Sequence, residues 1–226
     1  MIEKNNLKLE NKISIKDVIY LVLYFIGLEL ILLIPTAILI NTLNLSISTG
    51  LFLMSSISFI ILTILGLIWY KQDIKYCYSN FISDWKKTLR IILIALIIGF
   101  LTDILINSFI LVPKSENQLL VEDMFNNFPI VESISIVLLA PIIEEIVFRH
   151  ILIGKLSNVI NIKLAIIISC VLFSFMHSGF TISIVSYLLT TPWLTLIYIK
   201  SGKNIVASIV FHSLWNFISL IMIVFI

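Results

Sequence analysis

The sequence predicts an all-α protein, a polytopic bundle of about seven transmembrane helices with an interfacial helix between the third and fourth. Three observations carry that expectation. Of 226 residues, 60% are hydrophobic and 12% charged, with a mean hydropathy of +1.12, far from the balance of a soluble domain. Apolar runs long enough to cross a hydrocarbon core of roughly 30 Å occur at residues 18–40, 50–70, 89–111, 134–157, 163–179, 182–199 and 204–226. The basic residues, finally, gather in alternate connections.

Taken in order, the first run follows a polar segment and has no small-residue cleavage site behind it, so it is expected as a retained span. Lys4, Lys8, Lys12 and Lys16 precede it, and Lys71, Lys75, Lys86, Lys87 and Arg90 lie between or at the edges of the second and third runs. Lys155 and Lys163 lie at the facing edges of the fourth and fifth, and Lys200 and Lys203 between the sixth and seventh; the other connections hold only Lys114. By the positive-inside rule this puts the N-terminus in the cytoplasm and the C-terminus outside. The segment KSENQLLVEDMFNNFP, 114–129, has Ser115 and Gln118 at capping-box spacing. It also sets Leu119, Leu120, Met124, Phe125 and Phe128 on roughly one side, as an interfacial helix would. Such a helix is either a docked connector or a rim to a cavity. The chain then divides into residues 1–130, with the first three spans and this helix, and 131–226, with the last four.

Cys77 and Cys170 are the only cysteines, one expected on the cytoplasmic side and one within a span, which argues against a disulfide. There is no CxxC metal knuckle, fixed-period repeat or phosphate-cradling glycine loop, and the basic residues read as topology anchors rather than a nucleic-acid surface.

The fourth run contains PIIEEIVFRH, 141–150. A charge near the centre of a membrane helix costs roughly 2.5–3.5 kcal/mol, so Glu144, Glu145 and Arg149 need a reason to be there. Glu145 and Arg149 are four apart, acid first, and can pair on one helical face. Glu144 is turned about 100° away and is left without a partner on its own helix. His150 is a polar neighbour. His177 in the fifth run, and His212 with Asn216 four residues on in the seventh, are polar residues of the kind that acid and base catalysis uses. Counting rise from the cytoplasmic ends puts Glu144 and His177 at about 20 and 21 Å but His212 at about 12 Å. Their convergence therefore requires the last helix to start deeper, tilt or bend. Glu29, Asp103 and Asn107, each alone on its run, read as interhelical hydrogen-bonding residues.

The stretches E-E-x-x-x-R (Glu144, Glu145, Arg149), F-x-x-x-H (Phe173, His177) and H-x-x-x-N (His212, Asn216), in this order on successive hydrophobic segments, resemble the CAAX prenyl protease and bacteriocin-processing (CPBP, or Abi) family of intramembrane endopeptidases. The resemblance covers residues 130–220. It implies a bacterial cell-membrane peptidase in which Glu144 activates a water, His177 helps to hold or deprotonate it, and His212 and Asn216 stabilise the oxyanion. Glu145, Arg149 and Phe173 would be supporting residues. Members often carry glycine after the motif arginine, where this chain has His150.

No cofactor is expected to be required; if a metal were bound, Glu144, His177 and His212 would be its ligands, with Zn²⁺ the candidate, although the H-E-x-x-H motif is absent. The expected partners are the lipid bilayer and a peptide or protein substrate: a prenylated peptide, a leader or bacteriocin precursor, or a membrane-anchored regulator. Two other classes compete with this reading. One is an ion- or proton-coupled transporter using the buried carboxylates, against which stands the lack of internal repeats and paired broken helices. The other is a non-catalytic bacteriocin self-immunity protein. Serine and aspartate intramembrane-protease motifs are absent, and Cys170 and His177 are too far apart on one helix for a thiolate pair.

Overall fold

The computed structural model describes residues 12–109 and 113–225; Lys4 and Lys8 lie outside the described residues, as do the side chains of Glu29 and Asn107. All regular structure among the described residues is helical. The protein is a polytopic helical bundle, and each of the seven apolar runs is helical over most of its length.

Helix α1 (Ile15–Val22) passes through one π-wound turn, π1 (Leu23–Gly27), into α2 (Leu28–Leu43). The two halves of this run are bent by 41°, as expected where a π turn and a glycine interrupt the hydrogen-bond ladder. Asn44 closes α2 in the left-handed conformation, φ 51°, a standard helix stop. α3 (Ile47–Trp69) starts at Ser46, whose hydroxyl accepts from the Thr49 N–H at 3.1 Å. The short polar α4 (Lys71–Ser83) leads into α5 (Trp85–Phe109). α6 (Glu116–Asn127) is capped by Ser115, whose Oγ accepts from the Gln118 N–H at 3.1 Å, as the spacing predicts.

The fourth run departs from the simple α-helix expected of it. It is built from α7 (Pro129–Ile134), a π turn π2 (Ser135–Leu139), α8 (Ala140–Glu144) and a longer π-helical segment π3 (Glu145–Lys155). α9 (Ile162–Ser178), α10 (Ile184–Lys200) and α11 (Ile205–Phe225) complete the bundle. Among the described residues three helices, within α3, α5 and α11, are long and apolar enough to cross a membrane alone, and the bent α1–α2 run makes up to four; α9 and α10 are shorter apolar helices.

The core centres on π3, whose residues are all buried except Gly154. Ile146, Val147, Phe148 and Ile151 pack with Leu28 and Leu62 from the first half of the chain, Ile92 from α5, and Phe173 and Phe211 from α9 and α11. One apolar cluster therefore runs through both halves. The outward faces are apolar too: Ile34 and Ile97 are 68% and 62% exposed, which suits lipid rather than water as the surrounding solvent.

At the end of the bundle near Lys155, the chain buries a second polar group. Lys155 is 1% exposed and its Nζ lies 2.9 and 3.1 Å from the two carboxylate oxygens of Asp17. Tyr70 donates to the same carboxylate at 2.8 Å, and His150 Nε2 stands 3.1 Å from Asp73 Oδ2. Lys155 is thus an internal ion-pair partner, where the sequence reads as an exposed topology anchor. A lysine stem long enough to reach across to α1 makes the difference.

Two outcomes test this packing. A Cβ at Gly66 would lie 2.6 Å from Ile146 Cδ1 and 2.7 Å from Tyr20 Oη, and Tyr20 is held by its hydrogen bond to Leu62 O at 3.0 Å. Gly66→Ala should therefore cost about 1–3 kcal/mol, read as a lowered unfolding temperature in detergent. Cys77, on α4 between the spans, is 1% exposed, and burial pushes its thiol up to about 11. Maleimide labelling of Cys77 at pH 7–8 should be slow in the native protein and fast after denaturation.

Candidate active site

Three helical segments deliver the polar residues singled out in the sequence. α8 ends at Glu144, which is 9% exposed, and π3 begins at Glu145, which is fully buried. His177 sits in the last turn of α9 and His212 two turns into α11. Glu144 Oε1 is 3.8 Å from His177 Nε2, and Glu144 Oε2 is 3.6 Å from His212 Nε2. Both separations are longer than a hydrogen bond.

The remaining ring nitrogens are committed. His177 Nδ1 lies 2.9 Å from Phe173 O. A carbonyl only accepts, so Nδ1 carries the proton, and Nε2 of the neutral ring is an acceptor facing Glu144. His212 Nδ1 lies 2.9 Å from Glu145 Oε1, which likewise orients its Nε2 toward Glu144. The same Glu145 oxygen is 3.4 Å from Arg149 Nη1.

Arg149 is fully buried, and the structure gives its guanidinium no hydrogen bond of good geometry. Its charge is met by the Glu145 carboxylate and by the faces of Phe173 and Phe148, 4.8 and 6.0 Å from Cζ to the ring centroids. Phe173 in turn stacks against His177, with centroids 4.2 Å apart and planes at 17°. The supporting residues therefore form a stack of guanidinium, phenyl and imidazole that fixes the plane of His177.

Asn216 enters the site through a backbone defect. In π2 the Ala140 N–H bonds to Ser135 O, five residues back. Continuing that winding, Ile136 O would need the N–H of residue 141, which is Pro141 and has none. Asn216 Nδ2 donates to this orphan carbonyl at 2.9 Å. The amide is thus half engaged, and its second N–H is the one left for chemistry.

His212 is not too low in the bundle, as a simple count of rise suggests. Helix α11 starts deep: Asn204 is buried, its Oδ1 caps the Val206 and Ala207 N–H groups at 3.0 and 3.2 Å, and its Nδ2 donates to Cys77 O on α4 at 2.8 Å. α4 packs against α11 and buries its start at Asn204.

Glu144, His177, His212 and Asn216 all line one cavity of about 960 Å³. Its wall also includes Leu28 and Leu62 of the first helices and Gln118 and Met124 of α6. The interfacial helix is thus a wall of the cavity. Asp103, Glu132, Tyr187 and Trp215 also line it. Sequence reading took Asp103 as a packing residue and passed over the others; Glu132 carried the one usable signal, an acid just ahead of an apolar run. His150 points away, to Asp73 and to the edge of Tyr70, 5.3 Å between centroids. Among the described residues no group of three or more His, Cys, Asp or Glu side chains is arranged to hold a metal ion. Both cysteines are free and buried, and Cys170 Sγ packs 3.5 Å from Thr195 Oγ1.

Residues 126–218 match the family of type II CAAX prenyl endopeptidases, Rce1-like. That segment holds every residue of the Glu144 site. The chain is also similar to three UPF0177 proteins of Lactococcus lactis. It is 33% identical to YajF of subsp. lactis strain IL1403 over 129 residues, 55% of this chain and 62% of that one. It is 25% identical to YxdF of the same strain over 144 residues, 61% of this chain and 79% of that one. The protein in the abiGi 5′ region of subsp. cremoris is 34% identical over 145 residues, 61% of each chain. The chain thus spans less than two thirds of the length of YajF and of the subsp. cremoris protein. No solved structure matches it.

The buried pair inside the matched segment gives a direct test. Removing only Arg149, as Arg149→Met, leaves the Glu145 carboxylate without its cation and should cost about 3–5 kcal/mol. The double variant with Glu145→Gln should recover part of that loss, and a double-mutant cycle of unfolding temperatures in detergent measures it.

Proposed function

We propose that this integral membrane protein is an intramembrane endopeptidase that hydrolyses peptide bonds of membrane-associated peptides through a glutamate-activated water. The single observation that carries the reading is the placement of the Glu144 carboxylate, 3.8 and 3.6 Å from Nε2 of two imidazoles, at the wall of a cavity large enough for an extended peptide.

A water between Glu144 and His177 donates one proton to the carboxylate and another toward the acceptor Nε2 of His177. As Glu144 takes its proton, the oxygen attacks the scissile carbonyl and a tetrahedral oxyanion forms. His212 in its doubly protonated form, donating Nδ1–H to Glu145 and Nε2–H to the oxyanion, and the second N–H of Asn216 stabilise that oxyanion. Glu144 then returns its proton to the departing amine as the C–N bond breaks. The Glu145–Arg149 pair and the Phe173 stack take no part in bond making; they hold the two imidazoles at fixed angles, which is what a preorganised site requires. The lysine distribution supports a cytoplasmic N-terminus, and relatives from Lactococcus lactis support a bacterial cell membrane.

The test is cleavage of a quenched hydrophobic peptide library by the purified protein in proteoliposomes. Glu144→Gln and His177→Ala should each lower kcat/KM by about 10²–10⁴-fold, and Asn216→Ala by about 10²–10³-fold through kcat, with folding intact by circular dichroism. Activity unchanged in all three variants would reject the site. On the proposed mechanism, o-phenanthroline or EDTA leaves the rate within about twofold; loss of activity restored by Zn²⁺ would replace the metal-free reading with a metal-dependent one.

A further inference from the structure

The cavity that holds the proposed catalytic residues carries more acid than the reaction uses. Among its charged lining residues, Asp103, Glu132 and Glu144 are carboxylates, and Lys114 is the cation. Lys114 is already paired with Glu122 at 2.7 Å. Glu144 faces the two histidines. Glu132 faces no such group: it is 5% exposed, lines the cavity, and has no side-chain hydrogen bond or ion pair among the described residues.

A buried carboxylate in this position is costly unless something neutralises it. Its own helix supplies nothing, because α7 (Pro129–Ile134) contains no basic residue. An independent feature of the same cavity points the same way. Ser58 on α3 is 5% exposed and lines the cavity, and its hydroxyl has no hydrogen-bond partner. Buried hydroxyls in helices ordinarily find one. A carboxylate and a hydroxyl, both on buried residues that line one peptide-sized cavity, are acceptors suited to an ammonium or guanidinium group.

We propose that Glu132, with Ser58, is a specificity subsite that accepts a lysine or arginine side chain of the substrate peptide. This rests on the endopeptidase reading and names the substrate class: a largely apolar peptide bearing a basic residue at a set distance from the scissile bond. Glu132 and Glu144 are twelve residues apart on one helical run, roughly 15–18 Å at about 1.5 Å per residue with some shortening in the π turn. An extended peptide covers that span in about five residues. The apolar wall around Leu28, Met54 and Leu62 takes the apolar remainder.

The experiment scans a single lysine through an otherwise uncharged apolar peptide, against the same peptides with norleucine, using the full chain in proteoliposomes. The expected result is one optimum, four to six residues from the cleaved bond and on one side of it, with kcat/KM about 10- to 100-fold above the norleucine peptide. In Glu132→Gln that ratio should fall to within about threefold of one, and in Glu132→Lys a glutamate at the same peptide position should become the preferred residue. Ser58→Ala, which tests the hydroxyl separately, should lower the ratio by a few-fold. Equal cleavage of lysine and norleucine peptides by the wild type, or a lysine preference retained in Glu132→Gln, overturns the subsite. Binding of the labelled peptides to Glu144→Gln, read by fluorescence anisotropy, separates the two hypotheses. Lysine-dependent binding without cleavage by the wild type rejects the endopeptidase and keeps the subsite; cleavage without lysine-dependent binding does the reverse.

Discussion

The architecture of the site depends on one buried oxygen. Glu145 Oε1 is 2.9 Å from His212 Nδ1 and 3.4 Å from Arg149 Nη1, and both partners are almost wholly removed from solvent. In a low-dielectric interior such an arrangement cannot loosen cheaply, because any separation leaves a charge unpaired. The pair is therefore less a source of net stability than a geometric clamp. It ties α11 to π3 and sets the angle at which His212 meets Glu144. Through the face of Phe173, the same guanidinium also sets the ring of His177.

The π winding of the fourth run is the second constraint. An ordinary α-helix would satisfy the carbonyl of Ile136 within itself; the shifted register hands that carbonyl to Pro141, which has no N–H to give. A side chain from another helix has to supply the donor, and Asn216 does so. The defect thus becomes a tether one turn from His212. Interruptions of this kind collect at functional sites because they free polar groups in places where regular helix would bury none.

The two halves of the chain are physically one body. Lys155, at the end of π3, reaches Asp17 on α1, while Tyr20 and Leu62 share an apolar cluster with Ile146 and Phe148. The cavity wall is likewise shared, with residues of α3 and α6 lining it together with Glu144, His177 and His212. The first half is therefore more than an anchor: it closes the cavity, and the apolar lining it provides sets what can lie beside Glu144.

Much of this was determined by the sequence alone. Hydropathy settled the helical membrane class, because a chain in lipid must satisfy its backbone internally and helices do so locally. Spacing singled out the pair Glu145–Arg149, the pair His212–Asn216 and the unpartnered Glu144, because residues four apart share a helical face whatever the rest of the fold does. What only the tertiary structure decided is non-local. The depth of His212 follows from α4 covering the start of α11, the engagement of Asn216 from a register shift in another helix, and the burial of Lys155 from its reach to α1. The cavity has no sequence signature, since concavity is made by elements that meet from distant parts of the chain; an acid at position 132 is visible in the sequence, its place on the cavity wall is not.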